Sequence, residues 1–245
     1  MQEMKLRPLA LPFEHGAWGF LLEPIAVGLL VAPSVSGLLI AIGTVAAFLV
    51  RHPLRLAVRD FVQRKRYPRT AVCMLLALAY ALIAAAAFAG AIAFAGGRPL
   101  LPLIAVMPLA AMQFVLDVRN HGRALVAELA GAIAAGAAAT AIVLAASQPP
   151  ALAVALWALL AARAVASILY VRCSLRGEPR AIMLAAHATA VVLAIALVPV
   201  VSMGAVAAMV VLFARALPVP AFSARQIGMR ELGYGTLAVL LIALA

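Results

Sequence analysis

The feature that most constrains this chain is the recurrence of long apolar runs, each about long enough to cross a bilayer, between short polar breaks. A hydrocarbon-spanning helix needs about 20 mostly apolar residues. Such runs fill residues 16–33, 35–52, 70–95, 99–116, 124–146, 150–171, 181–200, 203–217 and 231–245. Turn-forming residues separate them, among them Pro33-Ser34, Gly96-Gly97-Arg98-Pro99, Asn120-His121-Gly122, Gln148-Pro149-Pro150 and Gly177-Glu178-Pro179. Hydrophobic residues make up 67% and charged residues 11% of the 245. A soluble domain is nearer half apolar and a quarter charged. The expectation is an all-α polytopic membrane bundle of about nine transmembrane helices, a single integral membrane domain over 1–245. The last helix looks short and only partly embedded. Lys5 and Arg7 open the chain as a signal peptide would, but Glu14 and His15 interrupt the apolar stretch and no small-residue cleavage site follows. The segment reads as a retained first span.

The charges sort by side. With the N-terminus in the cytoplasm, sixteen Lys and Arg residues fall in loops on that face and only Arg98 on the other, leaving Arg163 and Arg215 near or within spans. This follows the positive-inside rule. It accounts for the net charge of +11 without a nucleic-acid partner. The densest block, "RHPLRLAVRDFVQRKRYPR" over residues 51–69, carries seven basic residues. Arg64, Lys65 and Arg66 need only anionic headgroups to face. Arg51, Arg55 and Arg59 differ, because four-residue spacing puts them on one helical face, as a continuation of the second helix that Pro53 can kink. Two readings stay open for this stripe: a solvated face, or a site for a phosphate or diphosphate, which guanidinium groups grip bidentately. A second segment, residues 162–180, repeats the arrangement with Arg163, Arg172 and Arg176 and a closing Pro-Arg pair.

Ionisable residues within spans are costly and face a bundle interior or cavity. Glu14, His15, Trp18 and Glu23 mark the first helix, Gln113 and Asp117 the end of the fourth, and Glu128 the start of the fifth. Glu23 needs a buried partner such as Arg163, since an unpaired carboxylate there would be neutralised or destabilising. His187 reads as a hydrogen-bonded structural histidine. The expected anion site is Arg51, Arg55, Arg59, Arg163 and Arg172, around a cavity with Glu14, His15, Trp18, His52, Asp60, Gln113, Asp117, Glu128 and Tyr170 nearby. Glu14, Asp60, Asp117, Glu128 and Glu231 are the carboxylates available to meet arginines. No zinc pattern, nucleophile elbow or Walker loop is present. Cys73 and Cys173 lack metal-like spacing and read as small packing residues in a reducing compartment.

"EHGAWGFLLEP" with the later Gly28, "RHPLRLAVRD", "RYPRT" and "GRALVAELAGA" together resemble the YwiC-like membrane proteins of bacteria. That resemblance implies a multi-pass protein of the bacterial cytoplasmic membrane. A more distant likeness is to the UbiA superfamily of intramembrane prenyltransferases. It implies nine helices, a cytoplasmic N-terminus and a central cavity opening at the second and sixth interhelical loops, where both arginine segments fall. UbiA enzymes hold magnesium there with aspartate-rich motifs, whereas this chain has Asp60 in the first loop and Glu178 as the sole acid of the second. Magnesium clamping in the usual form is therefore absent; no cofactor is expected, with magnesium held in some other way as the open alternative. Three readings follow: a divergent lipid-modifying transferase holding a polyprenyl phosphate on arginines, a transporter or flippase of a small anion or phosphorylated lipid, and an accessory subunit of another membrane complex. Expected partners are membrane lipids, an isoprenoid or phosphorylated lipid ligand and, in the third reading, a membrane protein.

Overall fold

The computed structural model describes residues 6–12, 15–64, 67–218 and 222–244. It is helical throughout these residues, with α1 Arg7–Ala10, α2 His15–Val31, α3 Val35–Val62, α4 Pro68–Ala95, α5 Leu101–Ala105, α6 Met107–Val118, α7 Leu125–Ala145, α8 Pro150–Arg176, α9 Arg180–Ala196, α10 Met203–Ala216 and α11 Ala224–Leu244. Six segments are long and apolar enough to cross a membrane, and three shorter apolar helices accompany them. The chain is thus a polytopic helical membrane bundle.

Local chemistry sets the helix ends. The Ser34 hydroxyl caps α3 by accepting from the Gly37 N–H at 2.9 Å. Pro68 and Pro150 sit in the first turns of α4 and α8, where a missing N–H costs nothing. Gly177 ends α8 in the left-handed region, at φ 68°. The basic stripe does continue the second long helix, because α3 runs 28 residues to Val62 with Pro53 inside it. At 1.5 Å per residue that is about 42 Å, longer than the hydrocarbon core, so one end of α3 extends beyond it.

Two expectations change. The run expected as one helix over 99–116 is broken into a 3₁₀ turn at Arg98–Leu100, α5 and α6. Pro102 and Pro108 sit in the opening turns of the last two pieces, since neither can donate to the ladder inside a continuous helix. The last helix is not short. It begins at Ala224 rather than 231, and its 21 residues can span. Its polar first two turns had hidden that start.

Packing follows chain order. Each of α7, α8, α9, α10 and α11 lies against the next, and α11 returns to α2, which packs on α7. These six helices close a ring. Its interior is apolar and fine-grained: Val27, Ala139, Leu156, Ala190, Met209 and Ala238 belong to one buried cluster. The α3–α4 hairpin packs outside the ring, with α3 against α7. Without a hydrophobic drive between helices in lipid, close approach through small residues does this work. Polar ties add direction. Thr140 donates to the Ala153 carbonyl at 3.1 Å and the Trp157 indole to that of Ile133 at 2.9 Å, both joining α7 to α8.

Candidate functional site: an arginine-rimmed cavity

A cavity of about 470 Å³ opens between α2, α3, α7, α8 and α11. Five arginines line it, Arg51, Arg123, Arg163, Arg172 and Arg176, against three glutamates, Glu23, Glu128 and Glu231. Apart from Gln113, apolar side chains such as Phe20, Phe48, Ile168, Val171, Ile227 and Leu232, with glycines, supply the remaining wall.

The rim is cross-linked. Arg172 reaches Glu128 at 2.9 Å and Glu178 at 2.6 Å, and Arg176 lies 3.6 Å from Glu128. Both arginines also donate to the Arg123 carbonyl at 3.1 Å. These bonds tie α8 to the start of α7. The hydrogen bond from Arg172 holds the Glu178 carboxyl below the usual carboxylate range. Arg51 lies over the Phe48 ring at 5.4 Å.

The floor consists of two ion pairs. Glu23 on α2 meets Arg163 on α8, and Glu231 on α11 meets Arg215 on α10. In both, the arginine side chain is 3% exposed and the carboxylate 13% or 17%; Glu23, Arg163 and Glu231 line the cavity, and Arg215 stands behind its acid. Arg215 lies between two rings, 4.3 Å from that of Tyr170 and 5.0 Å from that of Tyr234, and donates to the Ser167 hydroxyl at 3.1 Å. His187 is buried, bonded through Nδ1 to the Met183 carbonyl at 2.9 Å and stacked near Phe213.

The expected site residues divide. Arg51, Arg163, Arg172, Gln113 and Glu128 line the cavity. Arg55 and Arg59 leave the cavity wall and hold the end of α6: Arg55 bonds Asp117 at 2.8 Å, and Arg59 donates to the Val118 carbonyl at 3.0 Å and to that of Asp117. The carbonyls at a helix C-terminus carry partial negative charge, which attracts these cations. Asp117, also 3.9 Å from Arg51, is their countercharge. His52 faces the Pro8 carbonyl at 3.0 Å. Asp60 is buried under Arg69 and Thr70, at 2.7 and 2.8 Å, and ties α3 to α4. Trp18 packs edge-on to Phe48, and Tyr170 sits beneath Arg215. Glu14 and the His15 side chain lie outside the described residues, as do Lys65 and Arg66. Of the five carboxylates expected to meet arginines, Asp60, Asp117, Glu128 and Glu231 each do. Sequence reading passed over Arg123 and Arg176 as lining residues and the Arg215–Glu231 pair as a unit. The signal for the pair was an arginine inside an apolar helix, which demands a partner.

The magnesium ion that a UbiA likeness implies finds no fitting donor set. Among the described residues no three His, Cys, Asp or Glu side chains converge to hold a metal ion. Carboxylates at the cavity are instead engaged by arginines.

The fold and site thus define a helical membrane bundle with a charged, internally paired cavity. A sequence model described as YwiC-like protein matches residues 11–143, and the chain belongs to that family. No curated protein matches the chain, and no solved structure does. The likeness to the UbiA superfamily gains no support from these comparisons.

Proposed function

We propose that this protein binds the anionic headgroup of a lipid, of the polyprenyl phosphate class, in the cavity between α2, α7, α8 and α11. The observation that carries this is the cavity's lining: arginines outnumber glutamates, and apart from Gln113 the rest of the wall is apolar or glycine. An amphiphile with a phosphate head and an isoprenoid tail matches both halves. Guanidinium groups grip phosphate bidentately, and low-dielectric walls strengthen that grip. In the transferase reading the arginines stabilise the departing phosphate without a metal clamp. A second reading, transport of the same anion, is favoured by the ion pairs of the floor, because charges within spans mark translocation pathways. The cytoplasmic membrane of bacteria and a cytoplasmic N-terminus belong to this proposal.

Binding of farnesyl phosphate to the full chain in nanodiscs tests it. Arg172→Gln should weaken binding ten- to a hundredfold, the loss of a charged hydrogen bond of about 1.5–3 kcal/mol. Arg98→Gln, in the 3₁₀ turn away from the cavity, should change it less than twofold. Equal small effects would leave the basic residues as an orientation signal only. Product formed with an acceptor mixture would then favour the transferase, and flux into proteoliposomes the transporter.

A further inference from the structure

We propose that the anion enters the floor of the cavity by exchange: it takes the place of the Glu23 carboxylate on Arg163, and the released Glu23 takes up a proton. The inference rests on the lipid-anion reading above and specifies how that site is regulated.

Charge balance carries the argument. At the floor two arginines are matched by two carboxylates, Glu23 with Arg163 and Glu231 with Arg215. Both arginine side chains are almost fully enclosed. A phosphate monoester carries about two negative charges above pH 7. The rim, where arginines outnumber glutamates, balances one of them, and the other would leave this enclosed quartet with an uncompensated negative charge, which low-dielectric surroundings penalise. A proton on one carboxylate restores neutrality, and the carboxylate that must let go of its arginine is the one that takes it. Its acceptance of the proton is chemically simple: the anion's oxygens replace the carboxylate's on the guanidinium, and the carboxyl becomes neutral.

Geometry selects Glu23. It and Arg163 both line the cavity, so an anion there reaches the same guanidinium. Glu231 lines it too, but its arginine does not, being held behind between Tyr170 and Tyr234. Gly235 on α11 is what lets the Glu23 carboxyl sit on Arg163 in the first place. A methyl group at Gly235 would run into the Glu23 carboxyl and stand 3.1 Å from Arg163 Nη2. The charged and titratable groups around Glu23 come from every neighbouring element: Arg163 from α8, Arg215 from α10, Glu231 and Tyr234 from α11, with Glu128 of α7 and Arg51 of α3 on the same cavity wall.

The test is the pH dependence of farnesyl phosphate binding to the full chain between pH 7 and 9. The phosphate headgroup keeps its charge there, its second pKa being about 6. One proton taken up per ligand makes the affinity fall about tenfold per pH unit. Glu23→Gln, a neutral stand-in for the protonated residue, should bind with no such slope. Glu128→Gln, at the rim, shifts the affinity and keeps the slope. Proton uptake by the unmodified protein, read from binding enthalpies in two buffers of different ionisation enthalpy, should be about one at pH 8, and this stands even if Glu23→Gln does not fold. A flat profile in the unmodified protein, or a slope lost with Glu128 instead of Glu23, overturns the exchange while leaving lipid-anion binding in place. Absence of binding at any pH overturns both.

Discussion

At the scale of single residues, what decides the architecture is which carboxylate each arginine finds. Glu23 with Arg163 was legible in advance, because two ionisable groups inside apolar helices have few alternatives to each other. The destinations of Arg55 and Arg59 were not. Their four-residue spacing does put them on one helical face with Arg51, but the end of α6, brought there only by tertiary packing, claims both. Gly235 is equally silent in sequence. Its role follows from the approach of α11 to the floor: Gly235→Ala forces the Glu23 carboxyl off its partner. Its expected cost is about 1–3 kcal/mol, the usual penalty for overpacking, read as a lower unfolding temperature in detergent. Gly233→Ala, whose added methyl meets nothing within 4 Å, is the control. It should be neutral or slightly stabilising, since glycine in a helix interior is unfavourable relative to alanine.

At the scale of elements, the apolar runs and their Pro and Gly punctuation placed the helices well, and errors fell where polarity or proline misleads. The first turns of α11 are polar because Arg225, Gln226 and Arg230 are exposed and Glu231 lines the cavity, so the helix starts before its apolar run does. In residues 98–118 the prolines were visible, yet a continuous apolar stretch outweighed them. Contact between α2 and α7 depends on a missing side chain. A methyl at Gly28 would lie 3.1 Å from the Ala139 Cα and 3.0 Å from the Ile142 Cβ. Backbone cannot yield as a flexible side-chain tip can, so the two helices must part. Gly28→Ala should therefore lower the unfolding midpoint clearly, whereas Gly16→Ala, with open space at the same helix's start, should not.

At the scale of the molecule, charge asymmetry across the bilayer gives the topology its prediction. Six helices are long and apolar enough to cross; the proposal adds the three shorter ones as spans, for nine crossings, with the N-terminus on the basic, cytoplasmic side. A reporter fused after residue 245 should then be active outside the cytoplasm; activity inside would remove one span, α10 being the shortest at 14 residues. Class and pairing could be read from sequence, but the ring closed by α11 on α2 could not, because nothing in the pattern of apolar runs says which helices become neighbours. The family match ends at residue 143, within α7, while Arg163, Arg172, Arg176 and Glu231 lie beyond it. Eleven of the 26 residues that line the cavity thus belong to the part of the chain outside the match. Central to it all is α7, which packs against α2, α3, α5, α6 and α8 and is mostly buried. Nine of its thirteen buried positions are alanine, the others being Gly136, Thr140, Ile142 and Val143. Alanine has no rotamers to lose on packing. It also has no side chain to rearrange when a neighbour grows. Away from the cavity, α7 therefore has no slack, and a saturation scan should show its buried positions beyond Ala135 as a stripe of intolerance to bulk, with adaptability left to the outward-facing helices.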